Sequence, residues 1–255
     1  MNYPQLERLI DIINTLRSEN GCPWDREQTH YSLKKNMIEE AYEAVDAIED
    51  GDNKHLQEEL GDVLLQVILH SQIAKEEKAF DIEDVAKGIA DKLVHRHPHV
   101  FGDAKINCAN EVVDAWEKLK AEEKKHRKSA MDGISKAQSA LMSAQKISKN
   151  AVKKGFEWPN EKTLWECFYS EIDEFKEALD ENNFQHAEEE FGDILFASVN
   201  LARWNKIDAE QALLKANRKF MARFRKMEEL ATKPLEEYSF AEYDKLWEQA
   251  KKELK

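Results

Sequence analysis

Cysteine, proline and glycine are all scarce in this 255-residue chain, which contains 3, 5 and 8 of them. The cysteines, Cys22, Cys108 and Cys167, are too few and too widely spaced for a disulfide framework or a thiolate metal site. Few prolines and glycines leave long stretches free to form helices, because these residues are the strongest helix breakers. We therefore expect a helical protein that is reduced and cytoplasmic.

Long apolar runs are also missing, and 35% of the residues are charged. No run approaches the roughly 20 residues that a membrane-spanning helix requires. The N-terminal segment 1–21 is charged and periodic and lacks the small-residue cleavage pattern of a signal peptide. The sequence therefore predicts neither a membrane span nor a secretory leader.

Positive charge is the minority, with 38 Lys and Arg against 51 Asp and Glu, which gives a net charge of −13. A general nucleic-acid binder needs a basic surface, so stable binding to nucleic acid is not expected. A phosphate-bearing small molecule is compatible with the acidic charge if a divalent cation lies between the carboxylates and the phosphates.

Apolar residues recur at three- and four-residue spacing along most of the chain, which predicts an all-α fold. Ser239 and Glu242 have the spacing of a capping box, which marks the start of the last helix. The expected helices are 3–18, 29–50, 54–78, 82–97, 110–127, 135–153, 161–181, 183–204, 208–230 and 239–254.

An internal repeat divides the chain. Residues 39–62, EEAYEAVDAIEDGDNKHLQEELGD, align without a gap with residues 170–193, SEIDEFKEALDENNFQHAEEEFGD, at a displacement of 131 (171 − 40). Eight of the 24 positions are identical, and five of those eight are Glu or Asp. The repeat favours two related domains, 1–105 and 135–255, joined by a charged linker helix and turn at 106–134.

The repeated acids flank apolar arcs of two helices. At 100° per residue, Glu40 and Glu43 lie at the margin of one arc, and Glu59 and Asp62 lie at the margin of the other. The predicted arcs comprise Leu33, Met37, Ala41, Ala44, Val45 and Ile48 on the first helix, and Leu56, Leu60, Val63, Leu64 and Val67 on the second.

In the second half of the chain, the same margins hold Glu171, Glu174, Glu190 and Asp193. Antiparallel packing would bring four carboxylates toward one rim of the helix pair in each half. Four hard oxygen ligands suit Mg²⁺ or Mn²⁺. A glycine precedes the last acid of each set, at 61 and 192, and predicts close approach of another helix or of a ligand, with helix packing favoured.

Other metal chemistry has weaker support. His95, His97 and His99 are interrupted by Pro98, which favours a structural or polar role. The paired Glu-x-x-His motifs of a di-iron bundle are not met, because the two occurrences, 27–30 and 123–126, lie outside the paired acidic helices.

Several longer strings, ENGCPWDREQT, EELGDVLLQV, DKLVHRHPHVFGD, ALMSAQKI and FGDILFASVNLARW, resemble the MazG nucleoside triphosphate pyrophosphohydrolases over nearly the full length. The resemblance implies two tandem MazG-type helical-bundle domains, completed by homodimerisation. It also implies hydrolysis of standard or aberrant nucleoside and deoxynucleoside triphosphates to a monophosphate and pyrophosphate. The implied cofactor is Mg²⁺, with Mn²⁺ as a substitute.

The same resemblance assigns residues, and it makes the C-terminal half the principal active domain. Its metal-ligand positions are Glu171, Glu174, Glu190 and Asp193, and its nucleotide-contacting positions are Lys219, Arg223, Trp247 and Lys251, with Lys120 from the segment after the first domain. The N-terminal counterparts are Glu40, Glu43, Glu59 and Asp62, with Lys92 and Arg96. A glutamate of the first helix, Glu171 or in the other half Glu39, is expected to orient or deprotonate the attacking water.

The C-terminal half departs from the family pattern at two positions. Ser170 stands where the N-terminal half has Glu39, and Cys167 stands where relatives carry Lys. The complete acidic motif therefore lies in the N-terminal half, although the C-terminal half is still favoured as the main active domain. The alternative function is a non-catalytic helical adaptor, whose apolar arcs mediate dimerisation and whose acids are solvated.

Overall fold

The computed structural model describes residues 3–104 and 127–254 and, between these ranges, positions 108, 111, 112, 115, 116, 119 and 123. The chain divides into two compact units, residues 1–124 and 125–255. Every regular element in the described residues is helical, which confirms the predicted fold class. None of the described helices is long and apolar enough to cross a bilayer.

The helices of the first unit are α1 (Pro4–Leu16), α2 (Pro23–Glu27), α3 (Lys34–Asp50), α4 (Asn53–Glu76), α5 (Ile82–Arg96) and α6 (Pro98–Phe101). Helices α3 and α4 form an antiparallel hairpin with a very short turn. Gly51 ends α3 with a φ of 69°, a left-handed conformation that glycine adopts without steric cost. The Asp52 carboxylate then accepts the backbone N–H groups of Lys54 and His55 and starts α4.

The second unit repeats this arrangement. Its helices are α7 (Ala140–Val152), α8 (Glu161–Asp180), α9 (Phe184–Trp204), α10 (Ala209–Leu230) and α11 (Phe240–Glu253), with a 3₁₀ turn at Leu235–Glu237. Helices α8 and α9 form a hairpin whose turn contains Asn182 at a φ of 57°. The predicted capping box of Ser239 and Glu242 is present at the start of α11.

Two helices begin later than the apolar spacing predicts. Helix α3 is preceded by a turn in which Thr29 N–H donates to Ser32 Oγ and Ser32 N–H donates to Thr29 Oγ1. Helix α7 begins after Ser139, whose Oγ accepts the Met142 N–H at 3.3 Å. Such side-chain bonds to the backbone compete with helix formation but leave no trace in hydrophobic periodicity. The predicted helix 110–127 lies mostly outside the described residues.

The buried face of α3 is rotated from the predicted arc. Two members of that arc, Leu33 just before the helix and Ala44, are buried as predicted at 2 and 7% exposed, but so is Ala47, which lies outside the arc, at 1%. Glu40 is half-buried and lies on the same stripe, whereas Ile48 from the predicted arc is 58% exposed. The carboxylate of Glu40 therefore belongs to the packed face of the helix and not to its margin.

The partner helices show the same inversion. Glu59 and Glu190 are buried, while the apolar neighbours that follow them, Leu60 and Phe191, are 53 and 49% exposed. Leu64, another member of the predicted arc, is 39% exposed. The arc prediction is wrong at these positions because a helical wheel assigns the most apolar face to the interior of the chain. It cannot distinguish that interior from a surface that another molecule covers.

Gly61 and Gly192 do not serve helix packing within their units. Apart from the backbone of its own helix, a Cβ atom added at either glycine would meet no atom of this chain within 4 Å, so no helix of the same unit accounts for these glycines. Both glycines are exposed, which leaves open space beside Asp62 and Asp193. Close approach of a ligand, the alternative reading, is compatible with that space.

A nearly buried arginine joins α1 to the end of α4. The Arg17 side chain is 5% exposed, and it donates from Nε to Glu76 Oε1 at 2.9 Å and from Nη2 to Oε2 at 2.7 Å. Its Nη1 donates to the carbonyls of Asp25 and Gln28 in the intervening loop. The hydrogen bonds from Arg17 lower the pKa of Glu76 because they favour the carboxylate.

Replacing Glu76 by Gln should destabilise the first unit by about 1–2 kcal/mol at pH 7, because a charge-assisted pair becomes neutral. The folded pKa of Glu76 lies below its ordinary value of 4.5. The contribution of the pair is therefore complete above that value and is lost as the pH falls through the folded pKa. Urea unfolding at pH 7 and pH 3 checks this, with Gln57→Ala, an exposed change on α4, as control. An equal difference between wild type and variant at both pH values would contradict it.

Candidate functional site

Each helical hairpin holds a cluster of three carboxylates. In the first unit, Glu40, Glu43 and Glu59 each offer one ligand oxygen, and these oxygens lie within 4.8 Å of one another. In the second unit, Glu171, Glu174 and Glu190 form the same arrangement, also within 4.8 Å. The two helices of each hairpin contribute two and one of these acids, so the fold itself brings them together.

Asp62 and Asp193, the fourth predicted acids, lie close enough to act on the clusters electrostatically. Burial raises the pKa of Glu40, and the nearby carboxylate of Asp62 raises it further, ahead of Glu43 and Glu59. Neither aspartate belongs to the group of oxygens within 4.8 Å. The clusters therefore have three close carboxylates each and one more within electrostatic range.

Glu171 in the second unit has a raised pKa for the same reasons. Burial is the largest cause, and the carboxylates of Glu174, Asp193 and Glu190 add to it, while a hydrogen bond from Cys167 opposes it. Like charges held close together favour the protonated acid unless a cation compensates them. Glu171 is thus a carboxyl group that gains a proton more readily than a free glutamate.

The deepest carboxylates are held by histidines one turn before them. His55 Nε2 lies 2.9 Å from Glu59 Oε1, and His186 Nε2 lies 2.9 Å from Glu190 Oε1. Glu59 Oε2, the other oxygen, is buried and has no hydrogen-bond partner in the described residues. Burying a carboxylate oxygen without a hydrogen-bond partner lowers the stability of the fold, so a bound ligand at this oxygen is expected.

These clusters fit a hard divalent cation. All the donors are carboxylate oxygens, the type that Mg²⁺ and Mn²⁺ prefer. A cation would also satisfy Glu59 Oε2 and offset the repulsion that raises the pKa of Glu40 and Glu171. The observed donor set therefore agrees with the metal that the sequence predicts.

Positions 39 and 170, where the halves differ, lie outside the three-carboxylate clusters. Glu39 is exposed on α3. Ser170 donates its hydroxyl to the Cys167 carbonyl at 2.9 Å, within its own helix. The Cys167 thiol contacts Glu171 Oε1 at 3.6 Å, and burial raises the pKa of this thiol. A thiol thus stands beside the C-terminal cluster where a cationic side chain was expected from relatives.

The predicted basic residues lie on the helices after each hairpin. Lys219 and Arg223 are one turn apart on α10, and the Arg223 guanidinium lies 5.7 Å from the centre of the Trp247 ring on α11. Lys251 pairs with Glu248 at 2.6 Å. In the described part of this unit, no ion pair joins these basic groups to the carboxylate cluster.

An apolar pocket of about 260 Å³ opens beside Trp247. It is lined by Phe220, Phe224, Met227, Phe240, Tyr243, Asp244 and Trp247. Phe220 and Trp247 are in ring contact, with centroids 5.3 Å apart. Asp244 is the one charged group among these lining residues. Such a pocket can receive a flat aromatic ring and offer one hydrogen-bond acceptor.

The first unit contains a similar Arg–Trp contact, whose tryptophan the sequence prediction missed. The Arg96 guanidinium lies 5.9 Å from the centre of the Trp116 ring, and that of Arg223 lies 5.7 Å from the centre of the Trp247 ring. The tryptophans occupy the same repeat position (116 + 131 = 247), whereas the repeat position of Arg96 is Met227 (96 + 131). The sequence signal for Trp116 is that the internal repeat continues into this segment at the same displacement of 131. Residues 111–123, EVVDAWEKLKAEE, align with 242–254, EYDKLWEQAKKEL, with five identities.

Lys120, one of these identities, corresponds to Lys251 and lies outside the described residues. Lys92 is exposed on α5, one turn before Arg96. His55 and His186 were also missed, although they are one of the eight identities of the first repeat block. Comparing every identical position, and not only the acids, finds both the histidines and Trp116.

Comparison with known proteins gives a consistent result. A family model described as the MazG nucleotide pyrophosphohydrolase domain matches residues 28–101 and 160–227. A protein of Thermotoga maritima named nucleoside triphosphate pyrophosphohydrolase/pyrophosphatase MazG is 47% identical over 249 residues, 96% of this chain and 95% of the relative. A nucleoside triphosphate pyrophosphohydrolase of Escherichia coli K12 is 43% identical over 257 residues, 98% of each chain.

A crystal structure of a mazG-related protein from Thermotoga maritima aligns with a TM-score of 0.39 and 30% identity, over 45% of this chain and 98% of that one. The two segments that the family model matches contain the two carboxylate hairpins, and the two relatives above align over almost their whole length. This chain belongs to the MazG nucleotide pyrophosphohydrolase family.

Proposed function

We propose that this protein hydrolyses nucleoside triphosphates, standard or aberrant and ribose- or deoxyribose-based, to a monophosphate and pyrophosphate in the presence of Mg²⁺. The observation that carries the proposal is the pair of carboxylate clusters, each with its oxygens within 4.8 Å. Membership of the family and the names of the relatives support the reaction type. The free cysteines of the described chain agree with a cytoplasmic location.

On this proposal, each hairpin holds its metal through four acids. They are Glu171, Glu174, Glu190 and Asp193 in the second unit, and Glu40, Glu43, Glu59 and Asp62 in the first. Mg²⁺, for which Mn²⁺ can substitute, supplies positive charge that offsets the charge of the triphosphate. The acids would fix where that charge lies, because each hairpin brings two of the clustered oxygens from one helix and one from the other within 4.8 Å.

The chain's own groups then act on the water and the phosphates. Glu171 is the proposed general base, because it is a half-buried member of the cluster that would hold the metal beside the attacking water. Glu39, at the repeat position of Ser170, is the candidate in the first unit. Lys219 and Arg223 are proposed to bind phosphate oxygens, as Lys92 and Arg96 are in the first unit, because guanidinium and ammonium groups match that geometry and charge.

The aromatic pocket beside Trp247 is the proposed place of the nucleotide base. The side chains that line the pocket are mostly aromatic, and the Arg223 guanidinium lies over the ring of Trp247, one of these side chains. Lys251 and Lys120 are proposed as further phosphate or sugar contacts. This pocket supports the second unit as the principal active half, although the first unit carries the complete acidic motif.

The decisive experiment measures pyrophosphate release from the common nucleoside and deoxynucleoside triphosphates with Mg²⁺. Glu190→Gln should lower kcat by at least about 100-fold if the second unit dominates, because a buried ligand is lost from the cluster. Glu59→Gln should have a smaller effect. The exposed change Glu188→Gln on α9 is the matched control.

A wild-type protein that releases no pyrophosphate with Mg²⁺ or Mn²⁺ would contradict the proposal and favour the adaptor function. Equal activity of wild type, Glu59→Gln and Glu190→Gln would do the same, because an adaptor does not use its acids. A larger loss in Glu59→Gln than in Glu190→Gln would transfer the principal role to the first unit. Circular dichroism confirms that each variant is folded.

We further propose that the protein is a homodimer. Large apolar side chains are exposed at the same four repeat positions in both units, in the pairs Ile38/Tyr169, Ile48/Leu179, Leu60/Phe191 and Leu64/Leu195. Their exposure ranges from 39% at Leu64 to 58% at Ile48 and Tyr169. An outward apolar face of this kind is typical of an interface. A second copy is the proposed occupant because it brings the same face and completes each two-helix layer.

Leu195→Lys should therefore shift the protein from dimer to monomer, because it places a charge in the proposed interface. Light scattering after size exclusion should give twice the chain mass of 29.7 kDa for the wild type and one chain mass for the variant. Gln185→Lys, an exposed change of the same charge on α9, should remain dimeric. A monomeric wild type at micromolar concentration would refute the dimer.

A further inference from the structure

Both units place a histidine beside the buried glutamate of the cluster, one helical turn before it. His55 and His186 are related by the displacement of 131, and in each the Nε2 atom lies 2.9 Å from a glutamate oxygen. Each imidazole is about half exposed, at 44 and 45%, whereas the glutamate side chains are 9 and 12% exposed. The buried partner of each pair is thus the acid, and the histidine reaches it from the surface side.

A carboxylate in this position has two separate requirements. It must stay ionised next to two other acids, and it must keep one oxygen directed at the cluster. An N–H donor on the other oxygen serves both, because it stabilises the charged form and fixes the side-chain rotamer. In Glu59 the two oxygens differ, since Oε1 lies 2.9 Å from His55 Nε2 while the buried Oε2 has no hydrogen-bond partner in the described residues.

We propose that His55 and His186 are positioning residues that orient Glu59 and Glu190 for metal binding. This inference rests on the proposed function, because the metal is part of that proposal. Outer hydrogen-bond partners of metal ligands typically change metal affinity by about 10- to 100-fold when they are removed. The imidazole approaches the carboxylate with Nε2, the ring nitrogen farther from its backbone, so a glutamine at the same place can supply an N–H with similar reach.

The experiment measures Mn²⁺ binding to the second unit by electron paramagnetic resonance and calorimetry, without nucleotide. Glu59→Gln is present throughout so that the first cluster is disabled. His186→Ala should weaken Mn²⁺ binding by about 10- to 100-fold, and His186→Gln should recover most of it. Gln185→Ala, an exposed change next to His186, is the control. Pyrophosphate release by His186→Ala should recover at high Mg²⁺, with the KM for nucleotide little changed.

Unchanged Mn²⁺ affinity in His186→Ala would overturn the positioning role. A raised nucleotide KM with unchanged Mn²⁺ affinity would also overturn it, because the histidine would then contact the substrate and not the glutamate. If the protein with an intact His186 bound no Mn²⁺ and released no pyrophosphate, the proposed function would fail with it. These outcomes separate the two ideas.

A different observation concerns Arg96 in the first unit. Glu123 accepts two hydrogen bonds from this guanidinium, one of them from Nε at 3.1 Å, and the Arg96 side chain is 14% exposed. Arg96 is the strongest cause of the lowered pKa of Glu123, and His95 and Lys92 add to it by charge attraction. The Glu123 carboxylate thus lies among the groups proposed to bind phosphate.

The second unit lacks this acid. The repeat position of Glu123 is Leu254 (123 + 131), which carries no charge, and the repeat position of its partner Arg96 is Met227 (96 + 131). We infer that Glu123 takes the place of a phosphate on Arg96 and weakens nucleotide binding by the first unit. This inference also rests on the proposed function. The ion pair between Glu123 and Arg96 must break before the Arg96 guanidinium can bind the phosphate oxygens of a triphosphate.

Glu123→Gln should therefore tighten binding of a non-hydrolysable nucleoside triphosphate by the first unit by about threefold to tenfold. Calorimetry with Mg²⁺ measures this, in a Glu190→Gln background that disables the second cluster. Asp91→Asn on α5 removes one negative charge in the same unit and is the matched control. Adding Arg96→Ala should abolish the gain, because the ion pair no longer exists.

Equal or weaker binding by Glu123→Gln would overturn the inference, as would an equal gain in Asp91→Asn, which would reveal a general charge effect. A gain that persists with Arg96→Ala would also overturn it. If neither the parent protein nor any variant bound the analogue with Mg²⁺, the proposed function of the first unit would fail as well.

Discussion

Three carboxylates held within 4.8 Å of one another between two helices are the constraint on which each unit depends. Such a cluster repels itself, and the raised pKa values of Glu40 and Glu171 record that repulsion. The hairpin tolerates it because the turns are short and capped and because small buried alanines let the two helices approach closely. The acids therefore occupy the seam of the hairpin, where most helical proteins place their core.

This inward placement of acids has a consequence for the rest of each helix. Consecutive residues point in different directions around a helix. When Glu59 and Glu190 face the partner helix of the hairpin, Leu60 and Phe191 therefore face away from it. The exposed apolar side chains are thus the counterpart of the buried acids and not a separate feature. The same reasoning links the proposed metal site to the proposed dimer, because a second copy would cover the apolar face that the inward acids turn outward.

The sequence predicted the helical fold, the long helices and the residues of both clusters, because their spacing repeats at a fixed displacement. It failed on which face is buried, since hydrophobicity alone placed Leu60 inside and Glu59 at the margin. It also missed the histidines at 55 and 186, whose role depends on a rotamer and a distance that spacing does not contain. Thr29 and Ser32 moved a helix start for a similarly local reason.

The repeat supplies an internal comparison that a single domain cannot. The carboxylate clusters and the histidines close to them occupy the same repeat positions in both units. Among the differences between the units, Glu39 against Ser170 and Glu123 against Leu254 change charge outside the three-carboxylate clusters. On the proposed function, these two differences would leave the metal-binding carboxylates equal and would alter how each unit receives water and phosphate. The two units would then differ in substrate handling, because the carboxylates of their clusters are the same.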